Sequence, residues 1–287
     1  MVDVDEKRCL PTGTVAASAT SSPGSVSSVL GNKHSDNILK LQKARTVVIK
    51  IGTSSITKDG AIDMDVMRAL VEDVSELKRQ GRNVAVVTSG AVGLGMKSGR
   101  DVQVAARVGQ PKLMHMYVEL FTRHGIEVGQ LLLTKDEFAT RWRLKTKVVR
   151  PIHSDFEQKV VPIINENDGI TNRRTTLGDN DSLVSRIACA IGADAFVIMS
   201  MKNGSAEGRG GESAKYAALR RAQRAGMTVL LVDGKEVHAI RNAFDGDRKG
   251  HENVEDLKAV HRNGQMAGKK GDAKAFMQKR KKVMRSY

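Results

Sequence analysis

Between Arg45 and Gly246 two hydrophobic patterns alternate along the chain. Short, nearly continuous apolar runs occur six times: TVVIKIG from Thr46, NVAVVTSG from Asn83, EVGQLLLT from Glu127, VVPIINEN from Val160, ADAFVIMS from Ala193 and MTVLLVDG from Met227. They are rich in β-branched residues and end in glycine or polar residues, which predicts buried strands. Between them the apolar positions take a helical period. Val66, Met67, Leu70, Val71, Val74 and Leu77 share one face, with Gly81 placed as a C-cap. Helices are predicted over about 102–124, with Pro111 as a break, over DNDSLVSRIACAIG and over ESAKYAALRRAQRAG. Pro151 interrupts the pattern between Lys135 and Lys159, so no element is assigned there. Strands apolar on both faces, separated by helices, predict an α/β fold: a three-layer sandwich with a mainly parallel central sheet.

The flanks read differently. GTVAASATSSPGSVSSVLGN, from Gly13, is small, polar and of low complexity. Residues 1–44 are therefore expected to form a disordered extension, and 45–246 the folded domain. Residues 247–287 are expected to be a flexible basic tail. The formal net charge is +15, and residues 261–287 carry nine Lys/Arg against one Asp. More than half of the excess thus sits in the tail, and the body is only mildly basic. That tail has few interleaved aromatics beyond Phe276 and Tyr287, which argues against stacking on single-stranded nucleic acid. No apolar run approaches the roughly 20 residues of a membrane span, and the acidic start MVDVDEKRCL does not read as a signal peptide. Two cysteines, Cys9 and Cys189, form no disulfide framework. They read as thiols of a reducing compartment, so a cytoplasmic location is expected.

In open parallel sheets, ligands bind beyond the carboxyl ends of the strands. KIGTSS, TSGAVG, NENDG and SMKNG fall at four such ends. Any one of them could be an ordinary turn. Lys50 is more specific, because it interrupts an apolar strand just before Gly52. Either it faces water from an edge strand or it is buried against an anion. With the backbone and hydroxyls of GTSS it would suit a phosphate chain. The usual phosphate signatures, G-x-x-x-x-G-K-[ST] and G-x-G-x-x-G after a strand, are absent, as are the protein-kinase motifs. The loop INENDGITNRRTTLGDNDSL, from Ile164, holds many acceptors and amides but neither histidine nor cysteine.

VVIKIGTSSIT, VAVVTSGAVGLG, GIEVGQLLLT, VVPIINENDGI, LGDNDSLVSRIACAIGAD and GRGGESAK follow one another in an order that resembles glutamate 5-kinases, of the amino-acid kinase superfamily. The resemblance covers roughly Arg45 to Gly246. It implies the amino-acid kinase fold, and phosphorylation of the γ-carboxylate of L-glutamate by ATP with Mg2+, the first step of proline biosynthesis. Lys50 and the backbone around Gly52 would contact the ATP phosphates, with Ser200, Gly210 and Gly211. Lys215 would be the second catalytic lysine, and Asp181 would organise both. Ser89, Asp168 and Asn180 would bind glutamate. A carboxylate is already a nucleophile at neutral pH, so a site without a histidine base fits this chemistry. Family members are commonly homo-oligomers inhibited by proline near the glutamate site, and neither a membrane nor a nucleic-acid partner is implied.

Simpler roles stand beside these. Asp179 and Asn180 could cap the following helix, Asp168-Gly169 could be a turn, and Ser89 could merely start a helix. The chain also departs from the family. Ser200-Met201 stands where members have Thr-Asp, only SAEGR remains of a longer nucleotide-side segment, Glu212 replaces a methionine, and the RNA-modification-type C-terminal domain of many bacterial members has no counterpart. These departures fall on the ATP half. They leave open a glutamate-binding regulatory homologue with impaired catalysis, or an anion- or nucleic-acid-binding protein using the tail.

Overall fold

The structure is a computed structural model, and it describes residues 37–58, 61–171, 180–200, 211–246 and 251–253. Among the described residues, seven strands form the main sheet. β1 (Thr46–Ile51), β4 (Asn83–Val87), β5 (Val128–Leu133), β6 (Val161–Glu166), β7 (Ala195–Ser200) and β8 (Thr228–Asp233) are the six apolar runs of the sequence. Their order is β5-β6-β4-β1-β7-β8, all parallel, and β9 (His251–Asn253) adds antiparallel to β8. A two-residue hairpin, β2 (Thr57–Lys58) with β3 (Ala61–Ile62), lies apart from this sheet.

The strict period of a strand splits each apolar run between two cores. Val47, Ile49 and Ile51 of β1 join Val84, Val86, Ala195 and Val197 on one face. That face is covered by α1 (37–43), α3 (Met64–Arg79), α5 (Val102–Thr122) and α10 (Ala239–Asp245). Val48, Ala85, Val87, Phe196 and Ile198 face the other way, under α7 (Arg150–Glu157), α8 (Asn180–Ala190) and α9 (Gly211–Arg224). Three layers result, as the uninterrupted apolar strands require.

Two boundaries differ from the sequence reading. The folded body begins before Arg45, because α1 buries Leu41 (1% exposed) and Ala44 in the first core. Arg82 holds this helix from below, donating to the carbonyls of Leu41, Gln42 and Ala44. Its guanidinium also stacks over Phe244, 5.1 Å from the ring centroid. At the other end, β9 belongs to the residues expected to be tail. The rest of the extension and of the tail lies outside the described residues.

Neither proline breaks a helix. Pro111 sits inside an unbroken α5. Pro151 stands at the start of α7, directly after a π-helical turn (Lys145–Val149) that continues α6 (Arg141–Leu144). Proline cannot donate the i→i−4 hydrogen bond and its ring crowds that carbonyl, and a widened turn just before it relieves both.

Candidate active site

The parallel strands bring one edge of the sheet together from distant parts of the chain. Leu131, Ile164, Val87, Lys50, Ile198 and Leu231 stand in register across it. The next residues along each strand enter the loops that carry the polar clusters. β1 has β4 on one side and β7 on the other, so Lys50 is on a central strand, and the edge-strand alternative does not hold.

Lys50 shares the face of Val48, the face covered by α8. Its side chain therefore runs beneath that helix, and Nζ lies 2.8 Å from Asp181 Oδ1. Both side chains are nine-tenths buried. Asp181 sits in the first turn of α8, where the helix dipole favours a negative charge. Oδ1 accepts no directed hydrogen bond, so the contact is one of charge, made off the hydrogen-bonding axis.

Beyond Lys50 the chain turns at Gly52 into α2 (Thr53–Ile56), whose first residues are exposed. A Cβ on Gly52 would lie 3.3 Å from Lys50 Nζ and crowd the amine. The missing side chain keeps the space above the cation open. The amides of Ser55 and Ile56 donate to the Gly52 carbonyl (3.0 and 3.3 Å), whereas those of Thr53 and Ser54 have no acceptor within the turn, which leaves two donors fit for an anion. Ser55 anchors it by donating to the Met199 carbonyl (3.2 Å). Gly234 permits that approach, since a Cβ there would come within 3.0 Å of the Ser55 side chain. Ser200 lies half-buried at the end of β7, and its carbonyl accepts from the Gly234 amide (3.0 Å).

On the other side of β1, Ser89 is half-buried at the end of β4. Gly90 follows with φ of +104°, a conformation other residues resist, and opens α4 (Ala91–Gly95). Ser89 therefore precedes the cap residue and does not itself start the helix. α4 packs backbone to backbone on α5: a Cβ on Gly95 would overlap the Ala105 carbonyl, and one on Gly109 would overlap that of Ala91. Below the turn, the Thr88 hydroxyl and the Tyr117 phenol share a 2.8 Å hydrogen bond. Burial pushes the Tyr117 hydroxyl well above its ordinary value, so it stays protonated.

Asp168 lies in the loop after β6, half-buried, in a tight turn. Its amide donates to the Glu166 carbonyl (2.9 Å), and the amides of Ile170 and Thr171 both donate to Asn167 (3.1 Å each). The turn reading of Asp168-Gly169 is thus correct as local geometry, and it does not compete with a binding role. α5 holds this loop at two points and the strand before it at a third. Gln103 donates to the Thr171 carbonyl (2.8 Å), Arg107 to that of Gly169 (2.6 Å), and Gln110 Oε1 accepts from the Asn165 amide (2.9 Å). Gln110 in turn donates to Gln130 (3.1 Å). Sequence reasoning missed these three. Their signal was present, because 103, 107 and 110 are polar positions at helical spacing in an otherwise apolar segment.

Lys50, Gly52, Ser89, Asp168, Asp181 and Ser200 therefore meet at one edge. Asn180 begins α8, and Gly211 and Lys215 lie on α9, but the side chains of Asn180 and Lys215 are outside the described residues. So are Gly210, Met201, the segment 204–209, Asp179, Arg173 and Arg174, and the side chain of Glu212. Among the described residues, no group of three His, Cys, Asp or Glu side chains could hold a metal ion.

Known proteins resemble this chain in sequence and in fold. The amino acid kinase family matches residues 45–214. The glutamate 5-kinase of Oleidesulfovibrio alaskensis is 33% identical over 252 residues, covering 73% of this chain and 66% of that protein. That of Symbiobacterium thermophilum is 31% identical over 253 residues, covering 74% of this chain and 96% of that protein. That of Methylococcus capsulatus is 31% identical over 274 residues, covering 80% and 73%. The chain thus spans about two thirds of the length of the first of these relatives and nearly all of the second. Solved structures with the same fold include isopentenyl phosphate kinase, with a TM-score of 0.52 at 14% identity over 71% of this chain and 98% of that one. UMP kinase from Ureaplasma parvum gives 0.51 at 13% identity, over 71% and 96%.

Proposed function

Since the chain belongs to the amino acid kinase family, we propose that it transfers the γ-phosphoryl group of ATP to the γ-carboxylate of L-glutamate, as a glutamate 5-kinase. The observation that carries this reading is the buried Lys50–Asp181 pair beneath the open turn at Gly52, one strand away from Ser89 and two from Asp168. A cation held in place beside the amides of Thr53 and Ser54 fits a phosphate chain. Polar groups beyond the neighbouring strands fit an amino acid.

The reaction needs few groups. A γ-carboxylate oxygen attacks the γ-phosphorus, the new O–P bond forms, and the bond to the β–γ bridging oxygen breaks. ADP leaves with that electron pair. No proton moves, so no general base is required. What remains is to hold two anions in line and neutralise the charge that moves toward the leaving oxygens. Lys50 supplies that charge. Asp181 fixes the ammonium before the reaction, so little reorganisation is needed when the charge shifts. Lys215 is proposed to act from the side of α9. Ser89, Asp168 and Asn180 are proposed to take the substrate's ammonium and carboxylate groups, which want acceptors and donors of those types. Gly52, Ser200, Gly210 and Gly211 are proposed to line the nucleotide.

Magnesium prefers oxygen ligands and commonly enters such sites on the phosphates of the nucleotide, with one or two carboxylates. Asp181, whose Oδ1 lacks a directed donor, would be a carboxylate to help hold it. When bound, the ion supplies positive charge to the phosphate oxygens. Proline as feedback inhibitor, assembly into homo-oligomers and a cytoplasmic location are proposed on the family resemblance. No described helix is long and apolar enough to cross a membrane.

The test is a coupled assay for ADP formation with Mg2+ and glutamate, aspartate or N-acetylglutamate as acceptor. Turnover is expected with glutamate and is expected to vanish in Lys50→Ala. A clear preference for either other acceptor would overturn the substrate assignment.

A further inference from the structure

Three side chains of α5 hold the end of β6 and the turn that carries Asp168, and Arg107 is the one beside Asp168. The guanidinium donates to the carbonyl of Gly169, the residue next to Asp168, at 2.6 Å. Gln103 donates to the carbonyl of Thr171, two residues further on, and Gln110 accepts from Asn165 on β6, just before the loop. The central contact is also a steric fit. Gly169 has no positive φ, so its backbone does not require glycine. A Cβ there would come within 2.8 Å of Arg107 Cγ, near the root of the side chain, where it cannot swing aside. The absent side chain at 169 is therefore demanded by Arg107 lying across it.

We propose that Arg107, acting through the Gly169 carbonyl, is the positioning residue that sets where Asp168 meets the amino-acid substrate, and so tunes affinity for glutamate and its discrimination from shorter acids. The proposal rests on the reading of Asp168 as a substrate-binding residue. The physical route is short. A shift of the Gly169 carbonyl moves the Gly169 Cα, and the peptide before it carries that movement to the Cα of Asp168. The Lys50–Asp181 pair stands on β1 and α8 and is not gripped by these α5 side chains. Losing Arg107 should therefore weaken substrate binding while sparing the phosphoryl-transfer step. The two acids differ by one methylene, so a small displacement of an anchoring carboxylate is enough to alter the choice between them.

Steady-state kinetics of the full chain test this with Arg107→Ala, Arg107→Lys, Gly169→Ala and the double variant Arg107→Ala/Gly169→Ala. Arg107→Ala is expected to raise KM for glutamate about tenfold, as loss of one charge-assisted hydrogen bond implies, and to narrow the preference for glutamate over aspartate. Values of kcat and KM for ATP should stay near those of the wild type. Arg107→Lys, which can still donate to the carbonyl, should recover most of the loss. Gly169→Ala should raise KM in the wild-type background and add nothing in the Arg107→Ala background, where the clash is gone. Unchanged KM in Arg107→Ala, additive effects in the double variant, or an equal loss in kcat and both KM values would overturn the proposal. Glutamate-induced thermal stabilisation reads the same pocket without catalysis. Stabilisation without turnover in the wild type would sink the kinase reading alone, and the variants would then be ranked by that stabilisation. Absence of both would sink the two proposals together.

Discussion

Lys50 Nζ and Asp181 Oδ1 lie 2.8 Å apart, both almost wholly buried, and they join the central strand to the first turn of α8. Taking one partner from such a pair strands the other's charge and typically costs about 3–5 kcal/mol. Lys50→Met and Asp181→Asn should each lower stability by amounts of that order or somewhat less, since Asn keeps an acceptor. The double variant should recover part of the loss yet remain inactive. Urea denaturation and the coupled assay, run on all four proteins, separate the structural use of the pair from its catalytic use.

Gly52→Ala isolates the open space above that cation. The residue has φ of −84°, so alanine brings no backbone strain. Its Cβ would stand 3.3 Å from Nζ, inside the proposed phosphate position. A several-fold rise in KM for ATP is expected, with unchanged stability and unchanged KM for glutamate. Unaltered ATP kinetics would place the phosphates elsewhere.

The α4–α5 contact should tolerate no side chain. Gly109→Ala puts a methyl group onto the Ala91 carbonyl, and Gly95→Ala onto that of Ala105. Each is expected to destabilise by about 1–3 kcal/mol, the usual range for overpacking, or more, since backbone rather than side chain must yield. Because α4 begins at the turn after Ser89, KM for glutamate should rise as well. A denaturation midpoint equal to the wild type's would refute this close packing.

Asp73 gives a pH dependence. Its carboxylate is buried on α3 and accepts from His238 Nδ1 (2.8 Å) and from the amides of Ile240 (3.1 Å) and Arg241 (3.2 Å), which start α10. Burial outweighs these donors and raises its carboxyl above the ordinary 3.8. The folded state then binds this proton more tightly than the unfolded one. The associated stability is fully present below about pH 3.8 and is lost as pH rises through the folded value. Asp73→Asn should keep an acceptor for the amides and flatten that part of the profile. Asp73→Ala removes the cap and should cost about 0.5–2 kcal/mol near neutral pH. Urea titrations across the acid range check both.

Leu41→Ala tests where the domain begins. Truncating a buried leucine typically costs about 2–5 kcal/mol. The same change in a disordered extension would cost nothing, so a midpoint that does not move would restore the boundary at Arg45.

How much of this was legible beforehand follows from what each signal requires. All six parallel strands could be read, because a strand buried on both faces needs an unbroken apolar run, and that is a local property of sequence. Lys50 could be read for the same reason in reverse, as a charge where the run allows none. The ordered segment 37–44 could not. Its short ILKL pattern at Ile38–Leu41 follows a long polar stretch and carries no strong period of its own. It is held by Arg82 and by the core, which lie far along the chain.

The residue pattern alone therefore determined the class of fold, the strands and the types of residue at their carboxyl ends, since periodicity and burial are written in neighbouring positions. Tertiary structure decided which anion faces Lys50, why Gly169 must lack a side chain, and that Gln103, Arg107 and Gln110 serve a loop some sixty residues away. Those relations depend on the order of strands in the sheet and on which helix covers which face, and no local stretch of sequence carries that information.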